Sequence, residues 1–137
     1  MAYRLIDHTA DVGLEVSGET PGDLFSQAVQ ALMDLLVEAG PARDLQLRDL
    51  EVEGGDWADL WVNFLREILY LFQGEGLLTR ALFLDRIAPP RLSGRIGCQV
   101  FDGSRHAVRQ EIKAVTYHQA EIRETPEGWE GRVIFDV

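Results

Sequence analysis

Residues 56–76, DWADLWVNFLREILYLFQGEG, decide the fold of this chain. Apolar side chains recur through them at intervals of three and four, which is the spacing of one helix face. Asp56 precedes the first of these side chains and suits a helix N-cap, and the glycines of residues 74–76 suit a C-cap and turn. The breadth of the apolar face predicts a helix that packs in the core. Its members are Trp57, Leu60, Trp61, Phe64, Leu65, Ile68, Leu69 and Phe72.

A second amphipathic helix is predicted within residues 19–40, ETPGDLFSQAVQALMDLLVEAG. Thr20 suits the N-cap and Pro21 the first helical position, while the carboxylate of Asp23 complements the positive end of the helix dipole. The apolar stripe again has a period near 3.6 residues. Gly40 and Pro41 then predict the end of this helix.

The remaining segments are strand-like, with alternating or β-branched residues between turn signals. The pattern of LQLRDLEVEG changes phase near Asp49, which predicts a bulge, and TPEG predicts a hairpin turn before the last strand. Two helices on a largely antiparallel sheet give an α+β sandwich, a single domain over residues 1–137. The strand segments are YRLI (3–6), GLEVSG (13–18), LQLRDLEVEG (45–54), RALFLDRIA (80–88), RLSGRIGCQVF (91–101), KAVTYHQAEIRE (113–124) and WEGRVIFDV (129–137).

Composition and charge restrict the function classes. The chain has 137 residues, 46% of them hydrophobic, and its formal net charge of −10 disfavours tight, autonomous nucleic-acid binding. A metal cation or a positively charged protein partner would be attracted by this negative charge. A role in solubility alone explains the acidic composition equally well. With no signal peptide and no apolar run of roughly 20 residues, a cytoplasmic protein that does not span a membrane is expected.

Several residues that resemble catalytic groups have simpler interpretations. Trp57 and Trp61 lie four apart on an apolar helix face and are expected to pack in the core. Cys98 is the single cysteine, so no internal disulfide forms, and within a strand it is expected to be a small buried hydrophobe. His106, beside DGSR, is expected in a solvated loop. No nucleophile motif of the Ser-His-Asp type is present.

The stretch DHTADVG, residues 7–13, has two interpretations. In the first, Asp7, His8 and Asp11 form an ordinary turn, because Asp and Thr side chains bond to neighbouring backbone groups. In the second, the terminal strand RVIFDV lies beside the first strands, so that Asp11, Asp136 and the α-carboxylate of Val137 converge. Three anionic oxygen donors would then favour a hard cation such as Ca²⁺, Mg²⁺ or Mn²⁺. Spacing along the chain does not decide between the two.

Five blocks of sequence occur in an order that resembles the archease family over nearly the whole chain. They are DHTADVG, GDLFSQAVQALMDLLVE, LYLFQGEG, EIKAVTYH and VIFDV. The resemblance implies a small acidic protein cofactor, itself not an enzyme, of the RtcB-type RNA-splicing ligase. Such a protein promotes guanylylation of the ligase histidine and multiple turnover in tRNA splicing and RNA repair. It also implies a metal site at Asp11, Asp136 and Val137, with Ca²⁺ the expected ion and Mg²⁺ or Mn²⁺ as alternatives.

The resemblance also indicates His8, Lys113 and His118 as candidate partner contacts. In a regular strand Lys113 and His118 would point to opposite faces, so they are not expected to serve one site. Two other functions stay open from the residues alone. One is a metal-dependent hydrolase or nuclease, for which no base or cleft is evident, and the other is a chaperone-like binding module without metal chemistry.

Overall fold

The structure, a computed structural model, describes residues 3–7 and 11–137, with Asp7 described by its backbone alone. Two long helices and nine strands alternate along these ranges. Within them no helix is long and apolar enough to cross a membrane. The elements are β1 Tyr3–Asp7, β2 Asp11–Gly18, α1 Pro21–Leu36, β3 Val37–Glu38, β4 Gln46–Glu53, α2 Trp57–Glu75, β5 Leu77–Ala88, β6 Arg91–Val100, β7 Ala107–Val108, β8 Ala114–Thr125 and β9 Gly128–Asp136.

The strands form antiparallel sheets, as the sequence predicts, but they are divided among three sheets. A four-stranded sheet has the order β1-β2-β9-β8, and a three-stranded sheet has the order β4-β6-β5. The short strands β3 and β7 make a separate pair. Both helices contact strands of both larger sheets. The predicted α+β class is confirmed.

Both helices begin at the residues that the sequence predicts. The hydroxyl of Thr20 accepts a hydrogen bond from the Asp23 N–H at 3.1 Å, and the Asp56 carboxylate accepts one from the Asp59 N–H at 2.8 Å. Each bond satisfies a backbone donor that the first helical turn leaves without a partner. At the other end of α2, Gly76 has φ 65° and forms the expected left-handed cap.

Helix α1 ends earlier than predicted. It stops at Leu36, and Val37 is already extended, with φ −144° and ψ 153°. Val37 pairs with Val108 in the β3–β7 ladder, a contact with a distant segment that the local pattern does not show. This pairing, and not the glycine at position 40, ends the helix.

The bulge expected near Asp49 is absent from the β4–β6 ladder, which runs in continuous register from Gln46 to Glu53. The apparent change of phase arises because Leu47 is exposed, at 57%, whereas Leu50 and Val52 are buried. Strand β4 therefore keeps its alternation and places one leucine on the solvent side.

Aromatic side chains join the helices in the core. Trp61 is fully buried, its ring centroid lies 5.1 Å from that of Phe25, and its indole N–H donates to the Arg132 carbonyl at 3.0 Å. The close fit extends to β9, where a Cβ on Gly131 would lie 2.8 Å from the Trp61 ring. The expected packing role of Trp57 and Trp61 is confirmed.

Two further local predictions hold. Thr125 pairs with Gly128, so that Pro126 and Glu127 form the hairpin loop between β8 and β9. Cys98 is 2% exposed in β6, and burial raises the pKa of its thiol. A buried thiol with a raised pKa is a poor nucleophile.

The expectation that His106 is solvated is wrong, since the residue is 6% exposed. Its Nδ1 accepts a hydrogen bond from the Asp102 N–H at 2.9 Å, and its Nε2 lies 3.4 Å from the Gln99 amide nitrogen. The ring also contacts Phe101, with centroids 5.7 Å apart. The polar stretch DGSR forms a turn around the histidine and does not expose it.

Candidate functional site

Asp11 and Asp136 lie face to face at one end of the four-stranded sheet. Asp11 is the first residue of β2, Asp136 is the last residue of β9, and the two are direct partners in the antiparallel register. The Cβ atoms of such partners are about 4.5–5.5 Å apart, and like charges at these positions repel. Two carboxylates in this arrangement favour a bound cation.

The core fixes this register. Val133 and Phe135 of β9 and Leu14 of β2 are fully buried, and Leu14 pairs with Val133. A slip of one residue would turn all three side chains toward solvent, because side chains alternate between the two faces of a strand. Packing of these neighbouring apolar residues therefore holds Asp11 opposite Asp136.

The two carboxylates have different environments. Asp11 is half-buried and its Oδ1 atom is shielded from solvent, whereas Asp136 is exposed. Val137 follows Asp136 and packs against the hydrophobic core. A partly desolvated carboxylate beside a second carboxylate costs free energy unless positive charge compensates both.

Lys113 is adjacent to this pair. Its backbone N–H donates to the carbonyl of Asp136 at 2.7 Å, and the next residue, Ala114, pairs with Asp136 across the β8–β9 ladder. Lys113 precedes β8, and its side chain is exposed. The structure thus brings the segment before β8 to the two aspartates.

His118 lies in a bulge of β8, so the argument from a regular strand does not apply to it. The register passes from Thr116 opposite Ile134 to Glu121 opposite Arg132, so five steps along β8 match two along β9. Gln119, inside the bulge, has φ 56°. His118 is exposed, and its orientation relative to Lys113 does not follow from strand alternation.

Tyr117 fastens this bulge to helix α2, a contact that sequence reasoning missed. Its hydroxyl donates to the Asp59 carboxylate at 2.6 Å, and the Arg66 guanidinium lies 4.5 Å from the centre of its ring. The Arg66 Nε–H also donates to the Val115 carbonyl at 3.1 Å. The hydrogen bond from Tyr117 lowers the pKa of Asp59, and the same bond raises the pKa of Tyr117.

In the described residues, the structure brings together few side chains that could bind a metal. His8 lies outside the described residues, and within those residues no group of three or more His, Cys, Asp or Glu side chains forms a metal cluster. Asp11 and Asp136 offer oxygen donors alone, which suit Ca²⁺, Mg²⁺ or Mn²⁺ and not a soft-metal site. The chemistry of the pair fits the hard cation that the resemblance implies.

The model of the Archease protein family (MTH1598/TM1083) matches residues 3–137. The chain belongs to the archease family. Its archease relatives include "Protein archease" from Pyrococcus furiosus, 33% identical over 135 residues, which span 96% of this chain and 95% of that protein. "Protein archease" from Methanosarcina barkeri is 30% identical over 140 residues, with coverage of 98% and 95%.

Solved structures show the same archease fold. The solution structure of Methanobacterium thermoautotrophicum protein 1598 superposes with a TM-score of 0.80 at 27% identity, and 98% of each chain is covered. The crystal structure of a Thermotoga maritima archease, described as a possible chaperone, gives a TM-score of 0.63 at 20% identity, with coverage of 96% and 94%. The second likeness supports the fold alone.

Proposed function

We propose that this protein is a non-catalytic activator of an RtcB-type RNA-splicing ligase, acting in the cytoplasm during tRNA splicing and RNA repair. Its role is to promote guanylylation of the ligase histidine and thereby multiple turnover. Membership of the archease family supports this proposal. The structural observation that carries it is the direct pairing of Asp11 with Asp136 at the end of the sheet.

The proposed metal ligands are Asp11, Asp136 and the carboxylate of Val137, and Ca²⁺ is the proposed ion, with Mg²⁺ or Mn²⁺ as alternatives. Bound there, the cation supplies positive charge that relieves the repulsion between the carboxylates. Asp11 and Asp136 position it from two neighbouring strands. The backbone bond from Lys113 to Asp136 holds the segment before β8 beside them.

The proposed partner contacts are His8, Lys113 and His118. Lys113 and His118 flank the first residues of β8 and are both exposed. The net charge of −10 favours encounter with the basic rim of an RNA-binding enzyme, and this attraction weakens as salt is added.

The test is transfer of labelled GMP from GTP to the ligase in the presence of a divalent metal. Three reactions are compared, which contain the ligase alone, this protein alone, and both together. We expect label on the ligase only, incorporated faster when this protein is present. Equal rates with and without it, across a range of metal concentrations, contradict the proposal.

A matched pair of variants tests whether the faster transfer of GMP depends on the paired aspartates. Asp11→Asn removes one negative charge at the paired position and is expected to abolish the stimulation. Asp85→Asn makes the same change at an exposed carboxylate on β5, in the other large sheet, and is expected to stimulate like the unmodified protein. Equal loss in both variants indicates a general effect of charge and not a site.

A further inference from the structure

Strand β8 departs from regular pairing close to the paired carboxylates. Thr116 lies opposite Ile134, which is two residues, or about 7 Å, along β9 from Asp136. The ladder resumes at Glu121, so residues 117–120 form a bulge between its two parts. Bulges change the direction of side chains and are frequent next to functional sites. The β8 bulge therefore lies where a partner that contacts the paired carboxylates would also meet it.

The β8 bulge is at the surface and has an unusual backbone. It belongs to the last strand of the order β1-β2-β9-β8, and His118 and Gln119 are both exposed. Gln119 has φ 56°, a left-handed conformation that residues other than glycine seldom adopt. Such a conformation persists where neighbouring contacts hold it in place. The shape of the bulge thus depends on contacts that anchor it.

Tyr117 provides the anchor. Its hydroxyl donates to the Asp59 carboxylate at 2.6 Å, and the hydroxyl oxygen lies 3.1 Å from the amide oxygen of Asn63. The Arg66 guanidinium covers the ring, 4.5 Å from its centre. Positions 59, 63 and 66 are spaced by four and three residues, so they share one face of helix α2. One tyrosine ties the bulge to this face.

The side chains that receive Tyr117 are themselves held in place. The Gly55 N–H donates to the second carboxylate oxygen of Asp59 at 2.8 Å. The Asn63 side-chain amide donates to the Glu53 carbonyl at 2.9 Å. Because these side chains lose little further freedom on contact with Tyr117, they favour one position of its hydroxyl.

We infer that Tyr117 is a positioning residue for partner binding, and that its bond to Asp59 holds the β8 bulge in the conformation that contacts the ligase. The inference rests on the proposed activator function. Preorganisation of a contact segment raises affinity, because less conformational freedom is lost on binding. His118 and Gln119 supply the imidazole and carboxamide groups that hydrogen-bond to the ligase, and Tyr117 acts through them.

Tyr117→Phe tests the inference, because it removes the hydroxyl and keeps the ring that Arg66 covers. In the free protein we expect faster hydrogen exchange at the amides of residues 117–120. The dissociation constant for the ligase is expected to rise about two- to tenfold, the factor for one hydrogen bond that no longer favours the binding conformation. The maximal rate of GMP transfer, at saturating concentrations of the variant, is expected to be unchanged because the bound conformation is the same.

Two control variants make the same chemical change at other tyrosines. Tyr3→Phe removes a hydroxyl that donates to Asp34 at 2.9 Å, so it breaks a bond of the same type away from the bulge. Tyr70→Phe removes an exposed hydroxyl from α2, the helix that carries the anchor. Both controls are expected to bind the ligase as tightly as the unmodified protein does. A purely structural role for Tyr117 predicts the same unchanged affinity for Tyr117→Phe.

Four results overturn the inference. They are unchanged hydrogen exchange in the bulge of Tyr117→Phe, unchanged affinity of this variant for the ligase, an equal loss of affinity in Tyr3→Phe, and a lower maximal rate. The outcome for the proposed function is read separately, from the unmodified protein. If that protein does not bind the ligase, the activator function fails and the inference fails with it, whereas binding that Tyr117→Phe does not weaken overturns the inference alone.

Discussion

At the scale of single residues, the molecule pairs two carboxylates that repel each other. Asp11 and Asp136 are direct cross-strand partners, and like charges in such positions oppose pairing by roughly 0.2–1 kcal/mol. The neighbouring apolar residues overcome this cost, since Val133 and Phe135 are fully buried. The core therefore holds the two carboxylates opposite each other in the register.

This repulsion predicts that replacing Asp136 has opposite effects on the free energy of unfolding in the absence and in the presence of metal. In EDTA, Asp136→Asn is expected to raise the free energy of unfolding by roughly 0.2–1 kcal/mol, because it removes one of two like charges. With Ca²⁺ present, the unmodified protein gains stability from binding and the variant gains much less. Thermal unfolding in EDTA and in a Ca²⁺ series measures both effects.

The control for this prediction is Asp85→Asn, which alters an exposed carboxylate of β5. It is expected to keep the full gain in Tm with Ca²⁺. If Asp136→Asn gains as much stability from Ca²⁺ as the unmodified protein does, the ion is bound elsewhere.

At the scale of elements, helix α2 connects the core to the surface of β8. Its buried face carries Trp61, and its other side holds the β8 bulge through the bond between Asp59 and Tyr117. Arg66 also bonds to the carbonyl of Val115. One helix thus stabilises the fold and fixes the segment that carries His118.

Trp61→Ala tests the packing role of this helix. The change empties a fully buried site and removes the indole N–H that donates to the Arg132 carbonyl. We expect a loss of about 3–5 kcal/mol in the free energy of unfolding, the usual cost of replacing a buried tryptophan by alanine. Chemical denaturation measures it.

Asp11→Ala provides the comparison for Trp61→Ala. It is expected to abolish activation of the ligase while costing much less stability, because it alters the end of a strand and not the core. If both variants lose a similar amount of stability, the role of Asp11 is structural and the site assignment is wrong.

The features that could be predicted from the sequence are those set by neighbouring residues. The caps at Thr20, Asp56 and Gly76 and the apolar faces of both helices depend on local spacing, and the structure confirms them. The missed features depend on distant partners. Helix α1 ends where Val37 pairs with Val108, and Gln99 helps to enclose His106. No window of neighbouring sequence contains such pairs.

The candidate site likewise combines features that follow from local sequence with features that depend on distant contacts. Carboxylates at positions 11 and 136 suit a hard cation if they converge, but their pairing is a property of the topology β1-β2-β9-β8. Strand alternation does not predict the relative orientation of Lys113 and His118, because β8 bulges after Thr116. From the residues alone the convergence of the two ends of the chain is one of two interpretations, and the resemblance to a family favours it.

At the scale of the whole molecule, the first and last parts of the chain form one sheet. Strands β2 and β9 lie side by side through eight paired positions, from Asp11 opposite Asp136 to Gly18 opposite Trp129. A cation held by Asp11 and Asp136 would therefore link the beginning and the end of the fold. Its binding free energy would add to the stability of this pairing.

The role proposed for Val137 gives a prediction about extending the chain. If its α-carboxylate is a ligand, a short tag added after Val137 replaces an anionic group by a neutral amide carbonyl and directs new chain through the site. Metal affinity is then expected to fall by at least about tenfold, as for the loss of one charged ligand. The same tag before Met1 leaves the carboxylate in place and serves as the control.

Calorimetric titration with Ca²⁺ measures the affinity of both tagged proteins, and circular dichroism confirms that each is folded. Deleting Val137 gives a sharper version, because the α-carboxylate then moves one residue back onto Asp136 while the side chains of Asp11 and Asp136 are both retained. Reduced affinity in the deletion and in the C-terminally tagged protein, with normal affinity in the N-terminally tagged one, requires an anion at position 137. Unchanged affinity after C-terminal tagging removes Val137 from the ligand set, and the cation would then depend on the two paired aspartates.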